Sequence, residues 1–145
     1  MKIIVEHVPL EENEVVLRCP ELDDEMLRVL SLLRSGMQKL LAWDENRETV
    51  LLAISEVIYC ETVEEKTFVY AREGMFQTAL SLAELEDYWG DLGLFRAGKS
   101  SVVNLQEIRK LKNCGAGRIE ARLSTGERLI ISRHYAPMLR EKLGM

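Results

Sequence analysis

The residues best able to do chemistry lie between Phe95 and Arg133, in the stretch FRAGKSSVVNLQEIRKLKNCGAGRIEARLSTGERLIISR. Nine cations fall there: Arg96, Lys99, Arg109, Lys110, Lys112, Arg118, Arg122, Arg128 and Arg133. They cannot all be buried, so some must meet solvent together on loops and strand faces. Arginine offers a planar fork for guanine edges or phosphate oxygens, lysine a point charge, and Ser100 and Asn104 can donate to phosphate or base. From residue 95 to the end there are 11 Lys+Arg against 4 Asp+Glu, net +7, while residues 1 to 94 are net −12, together the chain's −5. The local field steers a polyanion more than the mean charge does, so the basic third could bind phosphate. A mixed-charge surface that merely segregates along the chain accounts for the charges equally well, and charge alone does not decide between the two.

Other chemistries find less support. Gly93-Leu-Phe-Arg-Ala-Gly98-Lys99-Ser100 matches the nucleotide-binding pattern GxxxxGK[ST]. That pattern needs a buried strand before it and a helix N-terminus after it. Here an acidic helical run, Leu82 to Leu92, precedes and β-prone Ser101-Val102-Val103 follows, so no nucleotide partner is expected. The two histidines, His7 and His134, have no nucleophile motif beside them, and the carboxylates belong to helix faces and turns. No catalytic residue, no cofactor and no enzyme activity are expected. Cys19, Cys60 and Cys114 are odd in number, far apart and outside any CxxC pair, which suggests neither a disulfide framework nor a zinc site.

The elements that must position the basic residues follow from periodicity and turn chemistry. Ile108 to Cys114, Arg118 to Leu123 and Glu127 to Ile131 are β-prone runs separated by GAG at 115–117 and STG at 124–126, which predicts a meander. Lys39 to Trp43 and Glu48 to Leu52 around DENR predict a hairpin, Val57 to Cys60 a further strand, and Lys66 to Arg72 with Met75 to Ala79 around Glu73-Gly74 another hairpin, preceded by a loop from Glu61 to Glu65. Ser81-Leu-Ala-Glu84 is a capping box opening a short helix that ends at Gly93. Its acidic side, Glu84, Glu86, Asp87 and Asp91, is expected to face away from any nucleic acid. Arg133 to Leu143 predicts a closing helix with Pro137 in its first turn.

At the start of the chain, residues 2 to 8 (KIIVEHV) and 14 to 19 (EVVLRC) are β-branched runs that predict two strands. From Leu22 to Arg34 the apolar residues Leu22, Met26, Val29, Leu30 and Leu33 share one helix face, widened by Leu27 and Leu32. Acids crowd the first turn, Arg28 and Arg34 lie toward the end, and Ser35-Gly36 supplies a stop. A stripe this wide is read as core packing, with a partner's helix as the alternative cover. At 145 residues the chain has room for one main core plus an extension. No apolar run reaches the roughly 18 to 20 residues of a membrane span, and MKIIVEHV breaks any signal-peptide core, so a cytoplasmic protein is expected.

Four segments together carry a family resemblance: EVIYCE at 56–61, SLAELED at 81–87, FRAGKSSVVNLQEI at 95–108 and GERLIISRHYAPML at 126–139. Over about Lys39 to Leu143 the chain resembles the LytTR-type DNA-binding domain of LytR-, AlgR- and AgrA-like bacterial regulators. The resemblance implies a mostly β fold with short helices (α+β), built of small antiparallel sheets, whose loops enter successive major grooves of a bent duplex. It implies DNA-binding roles for Lys99 and Ser100, for Asn104 at the end of the same element, for Arg133 of the Ser-Arg pair, and for Lys66 or Thr67 on a third contact loop; Arg96 joins this set. The departure is Gly98, where the family commonly has histidine, so the contact expected there is missing or supplied differently. The expected organisation is a β-β-α extension over 1–38, serving dimerisation or partner contact, and a DNA-binding domain over 39–145. Only about 38 residues precede that domain, so the stand-alone form without a receiver domain is expected, a type associated with a small membrane protein. The expected partners are duplex DNA, a second copy and such a membrane protein; the alternative is a protein-interaction module of the same fold that has lost DNA binding.

Overall fold

The computed structural model describes every residue except Gln38, and every side chain except those of Leu32 and of residues 34–38. The expected contributions of Leu32 and Arg34 therefore lie outside the described side chains. The chain divides into two compact units, Met1–Arg34 and Ser35–Met145.

In the first unit the expected two strands are absent: residues 1–22 form neither strand nor helix. Ile3, Val5, Val15 and Val16 are all at least 64% exposed. β-Propensity measures fit to a partnered, half-buried surface, and two strands with no third strand and no apolar face to cover are marginal in water. The helix is present as α1, Asp24–Met37, and continues through the expected stop at Ser35-Gly36. Asp23 caps it, its carboxylate accepting from the Met26 N–H at 2.9 Å. Its apolar stripe is only partly covered: Leu27 and Leu33 are exposed, as is Leu22 just before the helix, while Met26, Val29 and Leu30 are half-buried.

The second unit is built on a seven-stranded antiparallel sheet in the order β2-β1-β5-β4-β3-β7-β6 and a three-stranded sheet in the order β10-β9-β8. The large sheet comprises β1 Lys39–Trp43, β2 Thr49–Ala53, β3 Val57–Val63, β4 Lys66–Ala71, β5 Gly74–Thr78, β6 Leu94–Gly98 and β7 Ser101–Asn104. The small sheet is the expected meander: β8 Ile108–Asn113, β9 Ile119–Leu123 and β10 Arg128–Ile131. On one face of the large sheet lies α2, Leu82–Trp89, whose Leu82, Leu85 and Trp89 pack with Leu40, Cys60, Val69 and Val102. On the other lie the small sheet and α3, Ala136–Leu143, around Ile58, Phe95, Val103, Ile119, Ile131 and Leu139. A wholly buried side chain such as Leu85 or Leu139 contributes about 1.5 to 3 kcal/mol relative to exposure. Because successive strand residues face opposite ways, the adjacent Val57 and Ile58 are both buried, one in each core, and the pairing with β4 shifts register between Val57 and Tyr59.

One connection differs from expectation and another agrees with it. The predicted loop from Glu61 to Glu65 is mostly strand: β3 runs to Val63, pairs with Lys66, and turns on Glu64-Glu65 alone. Both turn residues are left-handed, φ 50 and 65, the backbone of a two-residue hairpin that strongly prefers Asn-Gly. The GxxxxGK stretch is also a hairpin: Gly93 closes the turn after α2 at φ 113, β6 follows, and Lys99-Ser100 turn the chain into β7. A strand, not a helix, follows the GKS turn, because Val102 and Val103 are claimed by the two cores.

Asn104, expected to touch DNA, instead lies 99% buried where β7 leaves the large sheet. Its amide donates to the carbonyls of Ile54 at 3.2 Å and Val57 at 2.8 Å, and its oxygen accepts from the Gln106 N–H at 3.1 Å. Removing a group that satisfies three backbone partners leaves them unpaired in the interior. Asn104→Ala is therefore expected to lower stability by about 2 to 4 kcal/mol in urea unfolding followed by tryptophan fluorescence; a loss below about 0.5 kcal/mol contradicts the strut role. Replacing Glu64-Glu65 by Asn-Gly should act oppositely, raising stability by about 1 to 2 kcal/mol by relieving two left-handed non-glycine residues. An unchanged unfolding midpoint means the turn carries no such strain.

Candidate nucleic-acid interface

Five of the seven residues singled out by sequence, Lys66, Thr67, Arg96, Lys99 and Ser100, line one groove of about 590 Å³ at the end of the large sheet. Strand register makes its floor. Thr67 on β4 pairs with Thr62 on β3 and with Thr78 on β5, and the Thr62 N–H donates to the Ser100 carbonyl at 2.9 Å. Hydroxyl-bearing residues thus run across adjacent strands to the β6–β7 turn. Arg96 holds that turn: Nε donates to the Gly98 carbonyl at 2.7 Å and Nη2 to the Lys99 carbonyl at 2.8 Å. Two of its donors serve the backbone, which makes Arg96 a positioning residue for the exposed Lys99 and Ser100. Glu65 also lines the groove, a carboxylate beside Lys66 that opposes an anion.

Arg133 does not line that groove. It is exposed, and its side chain lies across Gly117, where an added Cβ would stand 2.8 Å from Arg133 Cγ. Gly117 is also at φ 77, so glycine is required twice over there. One bond relates the two regions: the Ser132 N–H donates to the Ala97 carbonyl at 2.8 Å, joining the end of β10 to the bulged end of β6. Beside it the Ser132 hydroxyl is buried without a partner among the described residues. Asn104, the seventh residue, is taken up by the backbone bonds described above and offers nothing to a ligand.

Sequence reasoning missed the other wall of the groove, Thr62 and the start of α2 at Ser81, Leu82 and Ala83. The capping box could have pointed there, because it marks a helix N-terminus with its unpaired N–H groups. The acidic flank expected to face away from nucleic acid is divided in space: Glu86, Asp87 and Asp91 line a separate cleft with Met138 and Lys142.

Two reactive groups, Cys60 and Tyr70, are held un-ionised. Burial pushes the Cys60 thiol up to about 12. Tyr70 donates to Glu61 at 2.6 Å, and that bond, followed by burial, pushes its phenol up to about 12. Among the described residues no three His, Cys, Asp or Glu side chains come together in a way that could hold a metal. No described helix is long and apolar enough to cross a membrane.

No curated protein matches the chain. Among solved structures it is similar to the LytTr DNA-binding domain of a methyl-accepting/DNA response regulator from Bacillus cereus, at 25% identity and a TM-score of 0.70, covering 74% of this chain and 98% of that one. The LytTr DNA-binding domain family matches residues 47–144, a span that takes in β2 to β10, α2 and α3. With two thirds of its length so matched and the fold in agreement, the chain belongs to the LytTR DNA-binding domain family.

Proposed function

We propose that this protein is a cytoplasmic transcription regulator that binds duplex DNA sequence-specifically, as a dimer on repeated half-sites, with its loops in successive major grooves. What carries the reading is the gathering of Lys66, Arg96 and Lys99 with Thr67 and Ser100 on one groove, and the bond from the Ser132 N–H to the Ala97 carbonyl that ties the exposed Arg133's neighbour to β6. Phosphate contacts give affinity and base contacts give discrimination. Lys99, at the tip of an exposed turn, suits a phosphate. Arg133 follows strand β10, precedes α3 and is braced against Gly117, so its guanidinium is held well enough to read a base edge. The uncovered part of the α1 stripe is the surface for the second copy, and the first unit is also the part available to a small membrane-protein partner.

One observation favours the second reading, a protein-interaction module of the same fold. Glycine stands where the family commonly has histidine, and two carboxylates sit on the turn beside Lys66. Binding of the protein to the DNA upstream of its own gene, compared with random duplex at two salt concentrations, separates the two. Equal affinities at both salts favour the interaction module.

Within the DNA-binding reading, Arg133→Ala should weaken the specific site by about 1 to 3 kcal/mol and random DNA far less. Lys99→Ala should lower both affinities together and reduce the salt slope by about one. If Lys99→Ala abolishes specificity while Arg133→Ala leaves the specific-to-random ratio unchanged, the roles are reversed. A chain starting near Gln38 should sediment as a weaker dimer than the full length; equal dimerisation rules out α1 as the contact.

A further inference from the structure

An apolar cleft lies beside the groove in the second unit. Its origin is a divergence within the large sheet: β1 meets β5 at Trp43 opposite Gln77, whereas β4 pairs with β5 over Thr67 to Ala71. Where β1 parts from β5, the Thr78 hydroxyl takes the place of the ladder, donating to the Leu41 carbonyl at 3.0 Å and accepting from the Leu80 N–H at 3.3 Å. The space left between β1, the Thr78-to-Leu80 segment and the end of α2 is a cleft of about 370 Å³. Leu41, Trp43, Ala79, Leu80, Tyr88 and Trp89 give it walls of hydrocarbon and aromatic ring. Trp89 belongs to the core under α2, whereas Leu41 and Tyr88 are more than half exposed, so the cleft has a fixed floor and an open mouth.

A concave site of this size, mostly apolar with a few polar groups, is the usual form of a small-molecule site. The polar groups say which molecule. Among the described residues that line the cleft, Lys39 is the one that carries a charge, and no carboxylate lines it. Lys39 makes no ion pair among the described residues. Glu107, which lines the neighbouring cavity together with Lys39, is already taken by Arg72 and the Ser124 hydroxyl. The Thr78 hydroxyl is spent on backbone, which leaves an ammonium to select the head group. We infer that this cleft binds a small apolar molecule ending in a carboxylate, with its hydrocarbon against Trp43, Leu80 and Trp89 and its carboxylate on the Lys39 ammonium. An ammonium beside apolar walls favours an anionic head over a neutral one and repels a cationic one. The inference does not rest on the DNA-binding reading. The two sites do share a wall, because Trp43, Thr78, Ala79 and Leu80 also line the groove, and an occupant of the cleft therefore touches it.

Both tryptophans of the chain line the cleft, so their emission reports its occupancy. The full chain is titrated with octanoate, and with octanol and octylammonium as its neutral and cationic counterparts of equal length. The expected result is a saturable change in emission, with octanoate bound about 5-fold more tightly than octanol and octylammonium weakest. Lys39→Gln, at an exposed position, should remove the advantage of octanoate and leave octanol binding unchanged. Leu41→Glu, also at an exposed position, puts a carboxylate in the cleft and should abolish octanoate binding with the circular dichroism spectrum unchanged. The inference is overturned if octanol binds as tightly as octanoate, if Lys39→Gln leaves the octanoate affinity as it was, or if Leu41→Glu still binds octanoate. No response to octanoate together with a weaker dimer for Leu41→Glu in sedimentation also overturns it, and makes the cleft a contact between copies. No DNA enters the titration, so its outcome is separate from that of the DNA-binding reading.

Discussion

The side chain of Asn104 is the joint on which the DNA-binding unit depends. It sits where the chain leaves the large sheet for the small one, and its three hydrogen bonds reach the turn between β2 and β3 and the turn that follows β7. Gly93, closing the turn after α2, approaches its Oδ1 so closely that an added Cβ would stand 3.0 Å away. Three chain reversals are thus registered against a single amide. A carboxylate in that position could accept but not donate, and an aliphatic side chain could do neither, so the site specifies an amide. Three residues on, Glu107 extends the joint: buried, it accepts from Arg72 at 2.5 Å and from the Ser124 hydroxyl at 3.0 Å, which links the β4–β5 turn to the β9–β10 turn. A buried carboxylate is tolerable only when so paired.

From that joint the geometry of the groove follows. β6 and β7 run from Asn104's neighbourhood outward, antiparallel, and end in the turn that carries Lys99 and Ser100. Their alternate residues are divided between two cores, Leu94 and Val102 to the α2 side and Phe95, Ala97 and Val103 to the other, so neither strand can rotate without losing one of them. The bulge near Ala97 then frees a carbonyl for Ser132, which brings the end of β10 to the same edge. The β6–β7 turn is exposed, yet β6 before it is buried on both faces, and that is the condition for placing a charge reproducibly.

Electrostatics and backbone act together in this interface. In the proposed complex the basic third of the chain would supply long-range attraction, which salt screens over about 8 Å at physiological ionic strength. Short-range order comes from Arg96 closing its own turn. Glu64 and Glu65 work against both, being acidic and conformationally costly at the tip beside Lys66. Their presence tempers attraction at that corner of the groove.

How much was legible beforehand depended on how local each signal was. The capping box at Ser81-Glu84, the GAG and STG turns of the meander, and Pro137 in the first turn of α3 all state their outcome within a few residues, and the fold has each of them where the sequence put it. The gathering of basic residues was likewise visible, because charge is a property of composition. What residue type could not convey was partnership. KIIVEHV and EVVLRC have the same strand-forming chemistry as KTFVYA, but only the last has neighbours on both sides, and only it is a strand. Asn104 and Thr67 were both polar candidates for touching DNA. The tertiary structure gave Asn104 three backbone partners and set Thr67 along the groove, since the surroundings of a polar group depend on strands that lie far away in sequence and close only once the sheets are packed.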